Sequence, residues 1–293
     1  MPQVEPQTFD SLPVAIGGVG GSGTRLIADM MMQLGYELGT DLNGPKDNLA
    51  FSFLFKRAEL WSLDDHREEL NLALELFFNA MYFHRPLTVQ NREFITKLAQ
   101  IGRPPHAADW PPARAAALLQ SSASHTKPRL WGWKEPNTHI FLPVLIKRVP
   151  GMKYIHVVRH GLDMAHSDNQ SQLLLWGQAL TDKVPSHSNP NHSFAYWCAA
   201  HERVLGIGAK MGANFYLLNY DKFCNRPQRE MEKLLEFLHL EPETESINTI
   251  LAGVETPVNI ARHRQHRRLA ISKSQKNLLI QLGFDADWSE ASN

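Results

Sequence analysis

The sequence predicts an α/β fold, a parallel β-sheet flanked by helices, and three observations carry that prediction. An apolar run, Val14-Ala15-Ile16, enters a loop with five glycines between Gly17 and Gly23, and helical apolar spacing follows at Leu26, Ile27, Met30, Met31 and Leu34. The segment 152–159, Met-Lys-Tyr-Ile-His-Val-Val-Arg, is dense in β-branched and aromatic residues and stops at His160-Gly161. Strand-like and helix-like segments then alternate along the chain, which implies parallel strands joined by crossovers.

Taken in order, the first helix reaches about Leu34 and ends at Gly35, and 36–48 is a polar connection containing Asp41 and Asp47. Residues 49–101 read as helices, with a stripe at Leu70, Ala73, Leu76, Phe77 and Ala80 and a break at Arg85-Pro86. Together with a short helix near 112–119 they form a helical insertion over about 49–127, whose phenylalanines are core residues. A short strand covers 129–133 and ends at Lys134-Glu135-Pro136, and Ile140, Leu142, Leu145 and Ile146 mark the next helix. After the 152–159 strand a helix runs from Leu162 toward Asn169, 170–191 reads as a polar lid around Trp176, and 193–211 is a long helix. A strand at 214–220 and helices from Pro227 and Ser272 complete the chain, which is expected to be one domain over 1–293.

Length and composition bound the function. The 293 residues can bury a sizeable core, and 43% hydrophobic with 20% charged residues is ordinary for a globular protein. Thirty basic residues balance thirty acidic ones, so no polyanion-binding surface is expected, and neither nucleic acid nor a membrane is an expected partner. Fourteen histidines are scattered without metal-ligand spacing, so no metal is expected. Two cysteines, no basic-apolar leader and no apolar run of about 18 residues lead to the expectation of a cytoplasmic protein.

The glycine loop is an anion site. Its glycines leave backbone N–H groups open to a ligand, and the helix from Thr24 adds unpaired donors and the positive end of its dipole. Three templates overlap there. Gly18-x-Gly20-x-x-Gly23 with Asp41 downstream fits a dinucleotide fingerprint. Gly18 and Gly23 have Walker spacing, but Thr24-Arg25 replaces its Lys-Ser pair. Ser22-Gly23-Thr24 fits the short turn by which sulfotransferases hold the 5′ end of the sulfate donor.

A second pair decides between them. Arg159 leaves the carboxyl end of a strand, where open α/β sheets bind ligands, and Ser167 follows eight residues on, about two helical turns. A guanidinium and a hydroxyl are the donors a second phosphate needs. With these residues the chain resembles the sulfotransferases that use 3′-phosphoadenosine 5′-phosphosulfate (PAPS), in a bacterial-type, P-loop-like fold. Gly21-Ser22-Gly23-Thr24-Arg25 looks like the loop for the 5′-phosphosulfate, and 157–167 like the segment whose arginine and serine bind the 3′-phosphate. Trp131-Gly132-Trp133-Lys134-Glu135-Pro136 is similar to a Trp…Lys-x-Pro element, and Leu218-Asn219-Tyr220-Asp221 to one whose tyrosine lies by the adenine.

The resemblance implies in-line transfer of a sulfuryl group from PAPS to a hydroxyl or amine of a small-molecule or carbohydrate acceptor, leaving PAP, without a metal. Lys134 is its candidate for charge stabilisation and Asp47 its first candidate base, ahead of Asp41, Glu135 and His160. Two departures stand out. Gly21 occupies the position where relatives carry a cation, with Arg25 or Lys134 as substitutes, and Arg262 with Arg264 stands for a missing basic C-terminal loop. The alternatives are a P-loop small-molecule kinase, a dinucleotide oxidoreductase, or a catalytically degenerate nucleotide-binding relative. Trp131, Trp133 and Trp176 have two readings of equal weight, stacking on a sugar or phenol of the acceptor and core packing, and the oligomeric state is open.

Overall fold

The computed structural model describes residues 5–62, 64–104, 106–120, 127–181, 189–255, 257 and 260–285. Four parallel strands, β1 (Val14–Gly18), β2 (Gly132–Lys134), β3 (Lys153–Val158) and β4 (Phe215–Asn219), are arranged in the order β2-β1-β3-β4 among the described residues. Ile16 pairs with Lys134 on one side and Ile155 on the other, so the carboxyl ends of three strands meet. The chain leaves β1 for β2 on one flank and then crosses to β3 on the other. That reversal opens a crevice at the carboxyl ends of β1 and β3.

Each face of the sheet is covered, and strand alternation decides which residues go where. Tyr154 and Val158 face one core, built with α2 (Leu49–Phe55), α3 (Arg67–Phe78), α4 (Val89–Ala99), α5 (Trp110–Gln120), α6 (Thr138–Arg148), α7 (Gly161–Ala165), α8 (Ser171–Thr181), α9 (Pro190–Met211) and α13 (Lys273–Gln281). Ile155 and Val157 face the other, against α1 (Thr24–Gln33), α10 (Tyr220–Asn225), α11 (Pro227–Leu238) and α12 (Thr244–Ala252). The α2–α5 helices are the expected insertion, and Phe51, Phe53, Phe55, Phe77 and Phe78 are fully buried as core residues.

Three expectations are corrected. The segment around Trp176 is not a polar lid over its described part: α8 spans 171–181, and Trp176 is buried with Nε1 donating to Asn137 Oδ1 at 2.7 Å. The remainder of that segment, 182–188, lies outside the described residues. Trp131 and Trp133 are likewise wholly buried, packed on Tyr82 and Phe77, so none of the three tryptophans offers a face to an acceptor. The helix after β3 stops at Ala165, so Ser167 is delivered by a turn and not by helical periodicity. The helix at 244–252 is an element not anticipated from the sequence.

Beneath the sheet, His139, His156 and His201 are fully buried in the first core, with centroids 6.0 and 5.1 Å apart. Burial leaves them neutral: it pulls His139 down to about 3, His201 to about 4 and His156 well below its ordinary value. Among the described residues no histidine, cysteine or carboxylate group forms a metal site, and no helix is long and apolar enough to cross a membrane.

Candidate functional site

The glycine loop turns tightly out of β1, and its backbone explains its composition. Gly21 and Gly23 sit at φ +90° and +94°, where a side chain is strained, and Gly23 is also the residue before α1. A Cβ at Gly23 would collide with the Tyr220 ring, and one at Gly18 would lie 2.5 Å from the Val157 carbonyl oxygen and 2.6 Å from Ser22 Oγ. Ser22 is buried, and its hydroxyl has no hydrogen-bond partner among the described residues. A partnerless buried hydroxyl inside a loop of small residues, over the N-terminus of a ten-residue helix, fits a phosphate or sulfate oxygen. Thr24 begins that helix and is buried, whereas Arg25 is exposed on its first turn.

The second anchor is close by. A Cβ at Gly21 would stand 3.5 Å from Ser167 Oγ, so the serine lies directly against the loop. Arg159, buried at the end of β3, has its guanidinium 5.7 Å from the Tyr220 ring centroid and Nε 3.8 Å from Asp221 Oδ1. Burial raises Asp221 to about 6, against the lowering influence of Arg159, and raises Tyr220 to about 12. The same carboxylate accepts from the His160 backbone N–H at 3.2 Å, which ties β3 to α10.

Arg262 arrives from nearly a hundred residues away. Its Nη1 donates to the His166 carbonyl at 3.2 Å, beside Ser167, and its Nε is buried without a partner among the described residues. The turn that carries it is held by Asp163 on α7, which accepts from Ala261 N at 2.8 Å, His263 N at 2.9 Å and His263 Nδ1 at 2.6 Å. Burial opposes the charge on Asp163, but those hydrogen bonds keep its carboxyl below the usual range. Arg264, the alternative, is exposed. Sequence reasoning missed Asp163 because nothing local to it signals a partner so distant in the chain.

The candidate catalytic pair is brought together. Lys134, 2% exposed at the carboxyl end of β2, forms an ion pair with Asp47 and donates to the Pro45 carbonyl at 3.1 Å. Asn43 fixes the carboxylate, donating from Nδ2 to Asp47 Oδ2 at 2.9 Å and accepting the Asp47 backbone N–H at 2.7 Å. The segment after β2 is tied to the end of β1, where the loop begins, through Glu135 N to Ile16 O at 3.0 Å and Gly18 N to Pro136 O at 3.2 Å.

The other candidate bases are occupied elsewhere. Asp41 pairs with Arg114 on α5 at 2.5 Å. Glu135 is wholly buried, raised by that burial, and accepts from Ser52 Oγ and from Asn137 N and Nδ2, which braces the start of α6. His160 caps α7 by accepting Leu162 N at 3.2 Å, stacks on His263, and is pushed down to about 4 by burial.

Fold and site together define an α/β protein with a P-loop-like anion cradle at its strand ends. The chain belongs to the sulfotransferase family, whose sequence profile matches residues 13–245. Among solved structures it is similar to the sulfotransferase domain of the Synechococcus PCC 7002 olefin synthase, at 16% identity and TM-score 0.50 over 97% of this chain and 99% of that one. The sulfotransferase domain from the curacin biosynthetic pathway matches at 14% identity and TM-score 0.48 over 95% and 99%, and a sulfotransferase from Alicyclobacillus acidocaldarius at 14% and 0.41 over 89% and 98%. At such identities the first of these likenesses speaks for the fold. No curated protein matches the sequence.

Proposed function

We propose that the protein is a PAPS-dependent sulfotransferase acting on a hydroxyl or amine of a small-molecule or carbohydrate acceptor. One observation carries the reading: the glycine loop, Ser167 and the turn bearing Arg262 converge at the strand ends, with Ser167 Oγ within 3.5 Å of a Cβ placed on Gly21. Two separate groups of anion donors, one on the loop and one at Arg159, Ser167 and Arg262, support a donor whose 5′ and 3′ phosphates are apart on one ribose, as in PAPS, over the contiguous phosphate chain of ATP or NAD.

The residues fit the donor. Ser22, Gly23, Thr24 and the backbone about Gly21 would hold the 5′-phosphosulfate, while Arg159, Ser167 and Arg262 would hold the 3′-phosphate, with Tyr220 at the nucleoside. When bound, PAPS supplies the sulfuryl group to be transferred and PAP is left. Lys134 provides the positive charge that Gly21 does not, in a buried setting where a charge is felt strongly. Asp47 accepts the proton of the acceptor hydroxyl at a carboxylate oxygen, and Lys134 and Asn43 hold that carboxylate in place. Arg25 is exposed and serves as a secondary cation at the mouth of the loop.

A calorimetric titration tests this. PAP binds in the presence of EDTA, and Arg159→Ala weakens it about 100-fold, the loss expected when charge-assisted hydrogen bonds to a phosphate disappear. Binding of ATP with Mg²⁺ or of NAD in place of PAP would overturn the proposal.

A further inference from the structure

Beside the candidate donor site lies a cavity of about 490 Å³, a size suited to a small molecule. Two of its lining residues connect it to that site. Ser52 Oγ donates to Glu135 Oε1, one residue from Lys134. Ser171 Oγ donates to Asn169 Oδ1 at 3.1 Å, and the Asn169 side chain lies against Gly20 of the loop.

The walls have two chemistries. Ile101, Trp110, Leu174 and Leu175 are apolar, and Ile101 and Leu174, 38% and 53% exposed, leave apolar surface open to a ligand within the concave wall. Lys56, Arg57 and Arg103 are cationic, against a single carboxylate, Glu59, in the same wall. Arg57 is neutralised by Glu69 and Glu59, but Lys56 and Arg103 have no carboxylate at ion-pair distance among the described residues. Two buried guanidinium nitrogens, Arg57 Nη2 and Arg103 Nε, also have no partner among those residues. Burial, with Lys56 and Arg103, lowers His106, and burial, with Arg57, draws Arg103 down to about 10 against the raising influence of Glu59 and Glu69. An anion would balance the remaining positive charge and give the open N–H groups an acceptor.

We infer that this cavity takes the acceptor, and that the acceptor is an acidic amphiphile bearing a hydroxyl. Its carboxylate or phosphate engages Lys56 and Arg103, and its apolar body covers Ile101, Trp110 and Leu174. Its hydroxyl reaches past Ser52 and Ser171 toward Lys134 and Asp47. This assignment rests on the sulfotransferase reading of the neighbouring site.

The experiment measures binding to the PAP-loaded protein by calorimetry, with three probes of equal length: ω-hydroxydecanoate, ω-hydroxydecyl phosphate and decanediol. At least one acid binds about 10-fold more tightly than the diol, and the tighter of the two identifies the acidic group. Arg103→Gln and Lys56→Gln each remove most of that preference and leave PAP affinity within about twofold, which shows that the variants are folded. PAP binding with equal affinity for acid and diol, or with no binding of any probe, overturns the acceptor assignment alone. Failure of PAP to bind overturns the donor reading and the acceptor role with it.

Discussion

The two sides of the site are built by different means. The proposed donor side is made of backbone: left-handed glycines, a helix N-terminus and a serine hydroxyl without a partner among the described residues, with Arg159, Ser167 and Arg262 brought to its rim by short turns. The proposed acceptor side is made of side chains on the α2–α5 insertion and α8, where Lys56, Arg103, Trp110 and Leu174 line an open cavity. A backbone cradle recognises any phosphate and tolerates almost no substitution, since each Cβ meets a neighbour. A side-chain wall recognises one chemical class and can change residue by residue. One half of such a protein is therefore constrained to its donor, while the other is free to follow its acceptor. Lys134 and Asp47 stand on the border.

Substitution at that border has the largest expected effect. Lys134→Met lowers kcat about 10²- to 10³-fold, the range for loss of one donor aimed at developing charge. The pair is also asymmetric in stability. Lys134 is 2% exposed and Asp47 21%, so Asp47→Ala leaves a buried cation without its carboxylate, whereas Lys134→Met leaves a carboxylate that still reaches solvent. Thermal denaturation should rank Asp47→Ala as the less stable variant, and the reverse order would mean that the pair is not the buried one described.

Gly23→Ala sharpens the contrast on the donor side. The left-handed backbone and the collision with Tyr220 together cost about 1–3 kcal/mol of stability, seen in a urea titration, and PAP affinity falls with it. A neutral outcome would show that the cradle is pliable and the contrast between the two sides false.

The smallest effect lies away from both sides, in the buried histidines. His139, His156 and His201 titrate near 6.5 when unfolded but far lower when folded, because burial disfavours their charged forms. The unfolded chain therefore binds more protons in acid. Their contribution to stability is complete above about pH 6.5 and declines as pH falls toward 4, by up to ~1.4 kcal/mol per pH unit for each group. His156→Gln should flatten the acid limb of the stability curve, and an unchanged slope would place the acid sensitivity elsewhere. Asp221, raised to about 6 by burial, contributes with the opposite sign between pH 3.8 and 6.

What was legible in the sequence follows the same division. β1, the loop and β3 announce themselves because their signals are local: consecutive apolar residues, then glycines at a turn. Lys134 and Asp47 were found through resemblance, and the structure supplies the contact between them. The acceptor side was not legible. Polar neighbours such as Gln170, Ser171 and Gln172 disguised α8 as a lid, although Gln172 is buried and donates to the Gly18 carbonyl at 3.1 Å. The tryptophans invited a stacking role that complete burial excludes. The cavity combines residues from three stretches, 52–59, 101–110 and 171–175, and no pattern in the chain marks them as neighbours.

The Asp163 clamp has one more consequence. Because one carboxylate already fixes both Ala261 and His263, the turn carrying Arg262 is ordered before any ligand arrives. Immobilising a backbone residue costs about 1–2 kcal/mol, and here that entropy is lost during folding and not during association. The basic arm of the site is thus preorganised, and an anion that meets Arg262 retains affinity that a loose C-terminal loop would give up to its own ordering.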